Sequence, residues 1–218
     1  MEQTAPPELK TGTTTVCIVC KDGVVMATEH RATAGTLIAH KATQKLFKID
    51  ENLGLTVAGL VGDAQQLARY ITAEAELFRL KRGRPLTVKG CATLMANIVG
   101  GRSYYPYWVQ LIIGGVDDDG GHTYSIDAAG GCIGDEYITT GSGSPYVYGV
   151  LEDHFKKGLS TEEGANLAIR GIGAAMKRDS ASGNGLSVAI IDKSGFHELS
   201  DDDIQKRAAK LGVTLPNQ

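Results

Sequence analysis

Three consecutive threonines, Thr13, Thr14 and Thr15, follow Gly12 near the start of the chain. Threonine is common where a β-strand begins, because its branched side chain suits a pleated surface. The first of the three has a second interpretation, since a polar segment ending in glycine precedes it. If the Gly12–Thr13 bond is cut, Thr13 acquires an α-amine with a pKa of about 7.7–8.0 beside its own hydroxyl. It would then carry a nucleophile and a general base together, whereas Thr14 and Thr15 are interpreted as plain strand residues.

Other motifs carry weaker chemical signals. Cys17 and Cys20 have CxxC spacing, but strand residues three apart point to opposite faces, which favours packing over a zinc or redox site. The five histidines show no HxxxH or HExxH pattern, so little supports a metal site. The composition alone does not exclude a catalytic Ser-His-Asp triad, although no GxSxG motif is present. No glycine pattern completes a nucleotide-binding motif; those considered are residues 59–62, 141–143 and 171–173.

The elements that must position these residues follow from periodicity and turn signals. Strands 13–19 and 24–27 form a hairpin around Asp22-Gly23, and strands 46–49 and 55–61 are expected to join them in one sheet. Later strands are predicted at 108–116, 122–126, 137–140, 186–191 and 196–198. Helices are predicted at 63–80, at 87–98, after residues 141–144 with Pro145 near the first turn, from Ser160 with a capping box, and at 201–211. This order predicts an α+β fold, a four-layer αββα sandwich of two antiparallel sheets flanked by helix pairs.

The composition limits the functional classes. The chain has 218 residues, 42% of them hydrophobic, and a formal net charge of -3, which gives no signature of nucleic-acid or membrane partners. No apolar run approaches the ~20 residues that span a bilayer, and the first twelve residues lack the features of a secretory signal. We expect a single cytoplasmic domain with reduced cysteines.

Seven motifs together resemble the β-subunits of the proteasome, most closely the archaeal type, within the N-terminal nucleophile hydrolase superfamily. They run through nearly the whole chain in family order. The motifs are TGTTTV (11–16), KDGVVMATEHRAT (21–33), AGLVGDAQ (58–65), QLIIGGVD (110–117), YSIDAAGG (124–131), TGSGSPYVYGVLED (140–153) and MKRDSASGNG (176–185).

The resemblance implies the αββα fold and an autocatalytic maturation. Residues 1–12 would be a propeptide and residues 13–218 the catalytic domain of a threonine endopeptidase. The matching active-site positions are Thr13, Glu29, Lys45, Asp179, Ser142 and Ser182, with Arg31 in support and the Gly59 N–H facing the oxyanion. Lys45 would stabilise the developing alkoxide, and Glu29 would orient the Lys45 ammonium. The amine and a water would be positioned by Asp179, Ser142 and Ser182.

The resemblance also implies partners and a preference. It implies four stacked seven-membered rings, α-subunits outside and β-subunits inside, fed with unfolded polypeptide by an ATP-driven unfoldase, and it implies no metal or organic cofactor. The substrate-binding positions are Ala32, Thr33, Thr43, Val57 and Val61, a mostly apolar set that favours chymotrypsin-like cleavage after large hydrophobic residues. Thr33 and Val61 would pair with the substrate backbone.

Three positions depart from the family pattern. Cys17 replaces a common glycine, Gln44 a common basic residue, and Asn184 a frequent aspartate.

Two alternative functions remain. One alternative is a non-catalytic structural subunit of the same ring, although such subunits typically lose the threonine or the lysine that this chain keeps. The other is the two-ring bacterial relative, against which the longer chain, the leader and TEHRAT argue.

Overall fold

The computed structural model describes residues 12–102 and 104–215. The propeptide predicted for residues 1–12 therefore lies outside the described residues except for Gly12. The elements, in chain order, are β1 (Thr15–Val19), β2 (Gly23–Glu29), β3 (Ala32–Ala34), β4 (Leu37–His40), β5 (Leu46–Asp50), β6 (Leu53–Gly59), α1 (Val61–Arg82), α2 (Val88–Gly100), β7 (Val109–Asp117), β8 (Gly120–Ile126), β9 (Cys132–Asp135), β10 (Tyr137–Thr140), α3 (Ser144–His154), α4 (Thr161–Met176), β11 (Leu186–Asp192), β12 (Gly195–Glu198) and α5 (Asp201–Lys210).

Two antiparallel five-stranded sheets form the centre of the fold. The first has the strand order β10-β1-β2-β11-β12 and the second β5-β6-β7-β8-β9. The expectation that the four early strands share one sheet is therefore wrong, because β1 and β2 lie in the first sheet and β5 and β6 in the second. The chain crosses between the sheets after the β3–β4 hairpin. Hydrophobic periodicity identifies a strand but does not specify which strand it pairs with.

Three apolar clusters separate the layers and confirm the αββα sandwich. Between the two sheets lie Cys17, Met26 and Ile112 with their neighbours. Helices α1 and α2 cover the second sheet over a cluster that includes Ile71. Helices α3 and α4 cover the first sheet over a cluster that includes Ile172, and α5 adds a third helix to that layer.

Local signals fixed several element boundaries correctly. Ser160 and Glu163 form the predicted capping box at the start of α4, and Pro145 lies in the first turn of α3. Val61, predicted as a strand end, instead begins α1. The hairpin of β3 and β4 and the strand β9 were not predicted, since β4 and β9 are exposed along their whole length and show no apolar alternation.

The CxxC cysteines lie on opposite faces of their sheet, as predicted from strand geometry. Cys17 packs between the sheets and Cys20 packs under the helices; burial raises the pKa of each thiol to about 12. Gly114 lies opposite Cys17, and a Cβ there would be 2.5 Å from its Sγ. The larger residue at position 17 is thus accommodated by a glycine on the facing sheet.

Two features are missing from the part of the chain that the structure describes. None of its helices is both long enough and apolar enough to cross a membrane. Within residues 12–102 and 104–215, no group of three His, Cys, Asp and Glu side chains is arranged to hold a metal ion.

Candidate active site

Thr13 lies just before β1 and is 3% exposed. Its Oγ1 donates a hydrogen bond to the carbonyl oxygen of Gly12 at 2.6 Å, and its backbone N–H donates to Ser142 Oγ at 3.2 Å. The candidate nucleophile therefore lies next to the carbonyl group of the bond whose cleavage the sequence predicts. The nitrogen that would become the free amine already contacts one of the predicted site residues.

Two glycines before α3 bring the chain against Thr13. Gly141 has φ +90°, and a Cβ on it would lie 2.1 Å from the Thr13 carbonyl oxygen. A Cβ on Gly143 would lie 1.9 Å from Thr14 Oγ1, and the Gly143 N–H donates to the Thr13 carbonyl oxygen at 3.3 Å. The sequence predicts only the start of a helix here, whereas in the structure the close approach to Thr13 and Thr14 requires both glycines.

Three further predicted residues converge beside Thr13. Asp179, which follows α4, accepts hydrogen bonds at Oδ2 from Ser142 Oγ at 2.6 Å and from Ser182 Oγ at 2.7 Å. The Ala181 N–H donates to Asp179 Oδ1 at 3.1 Å and orders the turn that carries Ser182. Charge-assisted bonds of this kind are short and strong, so the carboxylate holds both serines in place.

On the other side of Thr13, Glu29 and Lys45 form a buried ion pair. Glu29 is 0% and Lys45 6% exposed, and the Lys45 ammonium donates to Glu29 Oε1 and to the Arg31 carbonyl oxygen. Glu29 Oε2 accepts from the backbone N–H groups of Arg31 at 2.6 Å and Gly183 at 3.1 Å. Backbone donors and the ammonium thus fix this carboxylate at the end of β2.

Burial shifts both partners of the pair toward their neutral forms. It raises the pKa of Glu29 above its ordinary value, although Lys45 and two backbone N–H groups oppose the shift. Burial likewise lowers the pKa of Lys45, although Glu29 opposes this. Shifts caused by burial and a specific partner are typical of residues that move protons.

Thr14 differs from its interpretation as a plain strand residue. It precedes β1 and is 0% exposed. Its backbone N–H donates to Glu29 Oε1 at 3.2 Å, and its Oγ1 lies 2.6 Å from Ser182 Oγ. Thr15 does begin β1, where its hydroxyl pairs with Thr140 Oγ1 at 2.7 Å.

Arg31 holds the loop that carries Ser182. Its Nε donates to Asn184 Oδ1 and its guanidinium to the Ser180 carbonyl oxygen, each at 2.6 Å. Asn184 has φ +64°, a left-handed conformation that asparagine adopts more readily than most residues. Arg31 therefore has a neutral partner, Asn184, which is one of the three positions that depart from the family pattern.

Gly59 ends β6 directly before Leu60 and α1. Its φ is +127°, and a Cβ there would lie 2.1 Å from the Trp108 carbonyl oxygen. The approach of the neighbouring backbone thus requires glycine at this position. This reason is independent of the oxyanion role that the resemblance implies for the Gly59 N–H.

The predicted substrate-binding residues lie on several elements around the ion pair. Thr33 Oγ1 accepts from the Gly12 N–H at 3.1 Å, so it contacts the leader directly. The Val57 N–H donates to the Lys45 carbonyl oxygen at 3.0 Å, and the Thr43 N–H to that of His30 at 2.9 Å. Ala32, Thr33 and Val57 are buried, whereas Thr43 and Val61 are partly exposed. Val57 packs into the core beneath α1 and α2.

Comparison with known proteins agrees with this architecture. Residues 9–191 match the family model of the proteasome subunit. The chain is 51% identical over 201 residues to the proteasome subunit beta of Methanothermobacter thermautotrophicus, covering 92% of this chain and 96% of the relative. It is also 51% identical over 208 residues to that of Thermoplasma acidophilum, covering 95% and 98%. The chain therefore belongs to the proteasome subunit family, in its β branch, which confirms the resemblance found in the motifs.

Proposed function

We propose that this β-subunit of the 20S core particle is a threonine endopeptidase whose nucleophile is Thr13. One observation carries the proposal. Hydrogen bonds link the Thr13 N–H to the Ser142–Asp179–Ser182 cluster, and the N–H of the next residue, Thr14, to the Glu29–Lys45 ion pair. Groups suited to activate a hydroxyl and groups suited to orient an amine are thus connected to adjacent residues.

In the first stage the chain cleaves itself. Thr13 Oγ attacks the Gly12 carbonyl carbon, the C–N bond breaks as the C–O bond forms, and the hydroxyl proton passes to the nitrogen. The product is an ester, which water hydrolyses to release residues 1–12. The Thr13 hydroxyl lies 2.6 Å from the oxygen of the carbonyl group that it attacks, so the two reacting groups are already neighbours.

In the second stage the same oxygen attacks a substrate peptide bond. Lys45 uses two of its three N–H donors on Glu29 and the Arg31 carbonyl oxygen, which directs the ammonium and leaves one donor for the reacting oxygen. The Thr13 amine, held by Ser142, takes up the proton and then assists the water that hydrolyses the acyl-enzyme. The Gly59 N–H stabilises the oxyanion.

The wider assembly follows from the family. The subunit would assemble with other β-subunits and with α-subunits into four stacked seven-membered rings in the cytoplasm, and would receive unfolded polypeptide from an ATP-driven unfoldase. The substrate-binding positions Ala32, Val57 and Val61 are apolar, which favours cleavage after large hydrophobic residues. Thr33, which already contacts Gly12, would bind the substrate backbone.

The proposal is tested with particles co-assembled from α-subunits and native or altered β-subunits. A fluorogenic peptide ending in a large hydrophobic residue should be cleaved by the native particle and by Lys157→Met, since Lys157 is 88% exposed on the surface. Thr13→Ala and Lys45→Met should lose at least about 100-fold in rate. Equal activity of Thr13→Ala would overturn the proposal, and an inactive native particle would indicate the structural subunit instead.

A further inference from the structure

A directed chain of hydrogen bonds ends at Asp179. Asp179 Oδ2 accepts from Ser182 Oγ at 2.7 Å, and this donation uses the one hydroxyl proton that a serine has. Ser182 Oγ must therefore accept in its 2.6 Å contact with Thr14 Oγ1. The Thr14 hydroxyl is the donor, and the chain runs from Thr14 through Ser182 to Asp179.

A second chain reaches the same oxygen from Thr13. The Thr13 N–H donates to Ser142 Oγ at 3.2 Å, and Ser142 Oγ donates to Asp179 Oδ2 at 2.6 Å. The Oδ2 atom of Asp179 thus accepts from two serines, one linked to Thr13 and the other to Thr14, while the Ala181 N–H binds its Oδ1. Within each of the two chains, the successive hydrogen bonds polarise one another.

Thr14 also contacts the opposite half of the site. Its backbone N–H donates to Glu29 Oε1 at 3.2 Å, the same oxygen that Lys45 binds. The side chain is completely buried, and Gly143 leaves the space that it occupies. Thr14 therefore joins the ion pair to the Asp179 cluster, in addition to the Gly183 N–H that binds Glu29 Oε2.

We propose that Thr14 is a positioning residue, whose hydroxyl fixes Ser182 and Asp179 so that Ser142 stays in place to accept from the Thr13 nitrogen. This inference rests on the proposed function. It assigns to the second threonine a role that neither β-propensity nor the strand β1 requires. A role of this kind acts through Ser182. Removing the Thr14 hydroxyl should therefore have no additional effect on the rate once the Ser182 hydroxyl is gone.

The experiment compares serine and alanine at position 14 in the assembled particle, because the 2.6 Å contact leaves no room for the methyl group of valine. Thr14→Ser keeps the hydroxyl and should stay within about threefold of the native rate of peptide hydrolysis, whereas Thr14→Ala should lose about tenfold or more. The same pair at Thr15, whose buried hydroxyl bonds to Thr140 in the strand ladder, is the matched control. Its serine and alanine forms should have equal rates.

A double-mutant cycle separates positioning from a general structural effect. In a Ser182→Ala background, Thr14→Ala should reduce the rate by less than about twofold further. Equal rates for the serine and alanine forms of Thr14, or losses that multiply fully with Ser182→Ala, would overturn the inference. If Thr14→Ala fails to assemble, the rate of Thr14→Ser in the native background is decisive. A loss well beyond threefold for this variant overturns the inference.

The two proposals fail in different ways. A native particle that is inactive, or that stays equally active with Thr13→Ala, contradicts the proposed function itself. A native particle that is active and depends on Thr13, but in which Thr14→Ala is as fast as Thr14→Ser, contradicts only the role of Thr14.

Discussion

Replacing Gly12 with alanine should block maturation while leaving the mature enzyme intact. An alanine Cβ at position 12 would lie 1.8 Å from Ala181 Cβ, where ordinary contact begins at 3.4 Å, so one of the two must move by about 1.6 Å. Ala181 lies between Asp179 and Ser182, and its N–H binds Asp179 Oδ1. A shift of this size therefore moves the groups that orient Thr13.

The expected loss of self-cleavage rate follows from the distance by which the Cβ at position 12 or that of Ala181 must move. Misplacement of a catalytic group by about 1 Å costs about 100-fold in rate, so Gly12→Ala should slow self-cleavage by at least about that factor. Ala181→Gly removes the opposing Cβ and leaves Ser142 Oγ at 3.0 Å and the Ala181 Cα at 3.1 Å as the nearest atoms. Small adjustments relieve these contacts, and the double variant should recover most of the rate.

The assay follows the intact mass of the β-subunit over time after mixing precursor with α-subunits. A chain produced directly with Thr13 as its first residue serves as the control, because it never contains Gly12 and should hydrolyse peptide at the native rate. Self-cleavage of Gly12→Ala at the native rate would refute the account of this contact. So would failure of Ala181→Gly to restore cleavage while Ala181→Gly alone matures normally.

Three further predictions concern the charges and the packing around the site. Since burial lowers the pKa of Lys45, peptide hydrolysis measured against pH should fall as pH rises through a value below 10.5, whereas the acid limb follows protonation of the Thr13 amine; an alkaline limb at or above 10.5 would contradict the buried pair. Asn184→Asp keeps the acceptor for Arg31 and offsets the Arg31 charge that lowers the Lys45 pKa, so the alkaline limb of the pH profile should move to higher pH. Asn184→Ala should lower the unfolding free energy by about 1–2 kcal/mol, because alanine is strained in the left-handed backbone at this position. An unmoved alkaline limb for the first variant and an unchanged unfolding midpoint for the second would count against this. Gly114→Ala should destabilise the subunit by about 1–3 kcal/mol in urea unfolding through overpacking against Cys17, and Cys17→Gly in the same chain should recover part of the loss; additive losses would contradict the packing of the two sheets.

The sequence predicted the residues of the site better than their connections. Thr13 was singled out by the leader before it, Glu29 and Lys45 by the family resemblance, and the helices by apolar positions that recur within a few residues. The hydrogen bond between Thr14 and Ser182 was missed because the two residues are 168 positions apart. A contact over that separation depends on which sheet each strand joins, and hydrophobic periodicity does not specify this.

The glycines around Thr13 illustrate the same limit. Gly141 and Gly143 were interpreted correctly as the approach to a helix, but the atoms that forbid a side chain there belong to Thr13 and Thr14. Gly59 was assigned for its N–H, whereas the structure adds the nearby Trp108 carbonyl oxygen as a reason for glycine. In each case the residue type was informative, and the reason for it became clear only when a distant segment was placed beside it.

The central claim, that Thr13 becomes an N-terminal nucleophile, is tested most directly by trapping the acyl-enzyme. A β-lactone probe, whose strained ester acylates a nucleophilic oxygen, is added to the assembled particle, and the β-subunit is analysed by peptide mass mapping. The account predicts a first peptide that begins at Thr13, lacks residues 1–12 and carries one adduct on the Thr13 oxygen. An active particle whose β-subunit keeps Gly12 attached, or an adduct on any other residue, would contradict it.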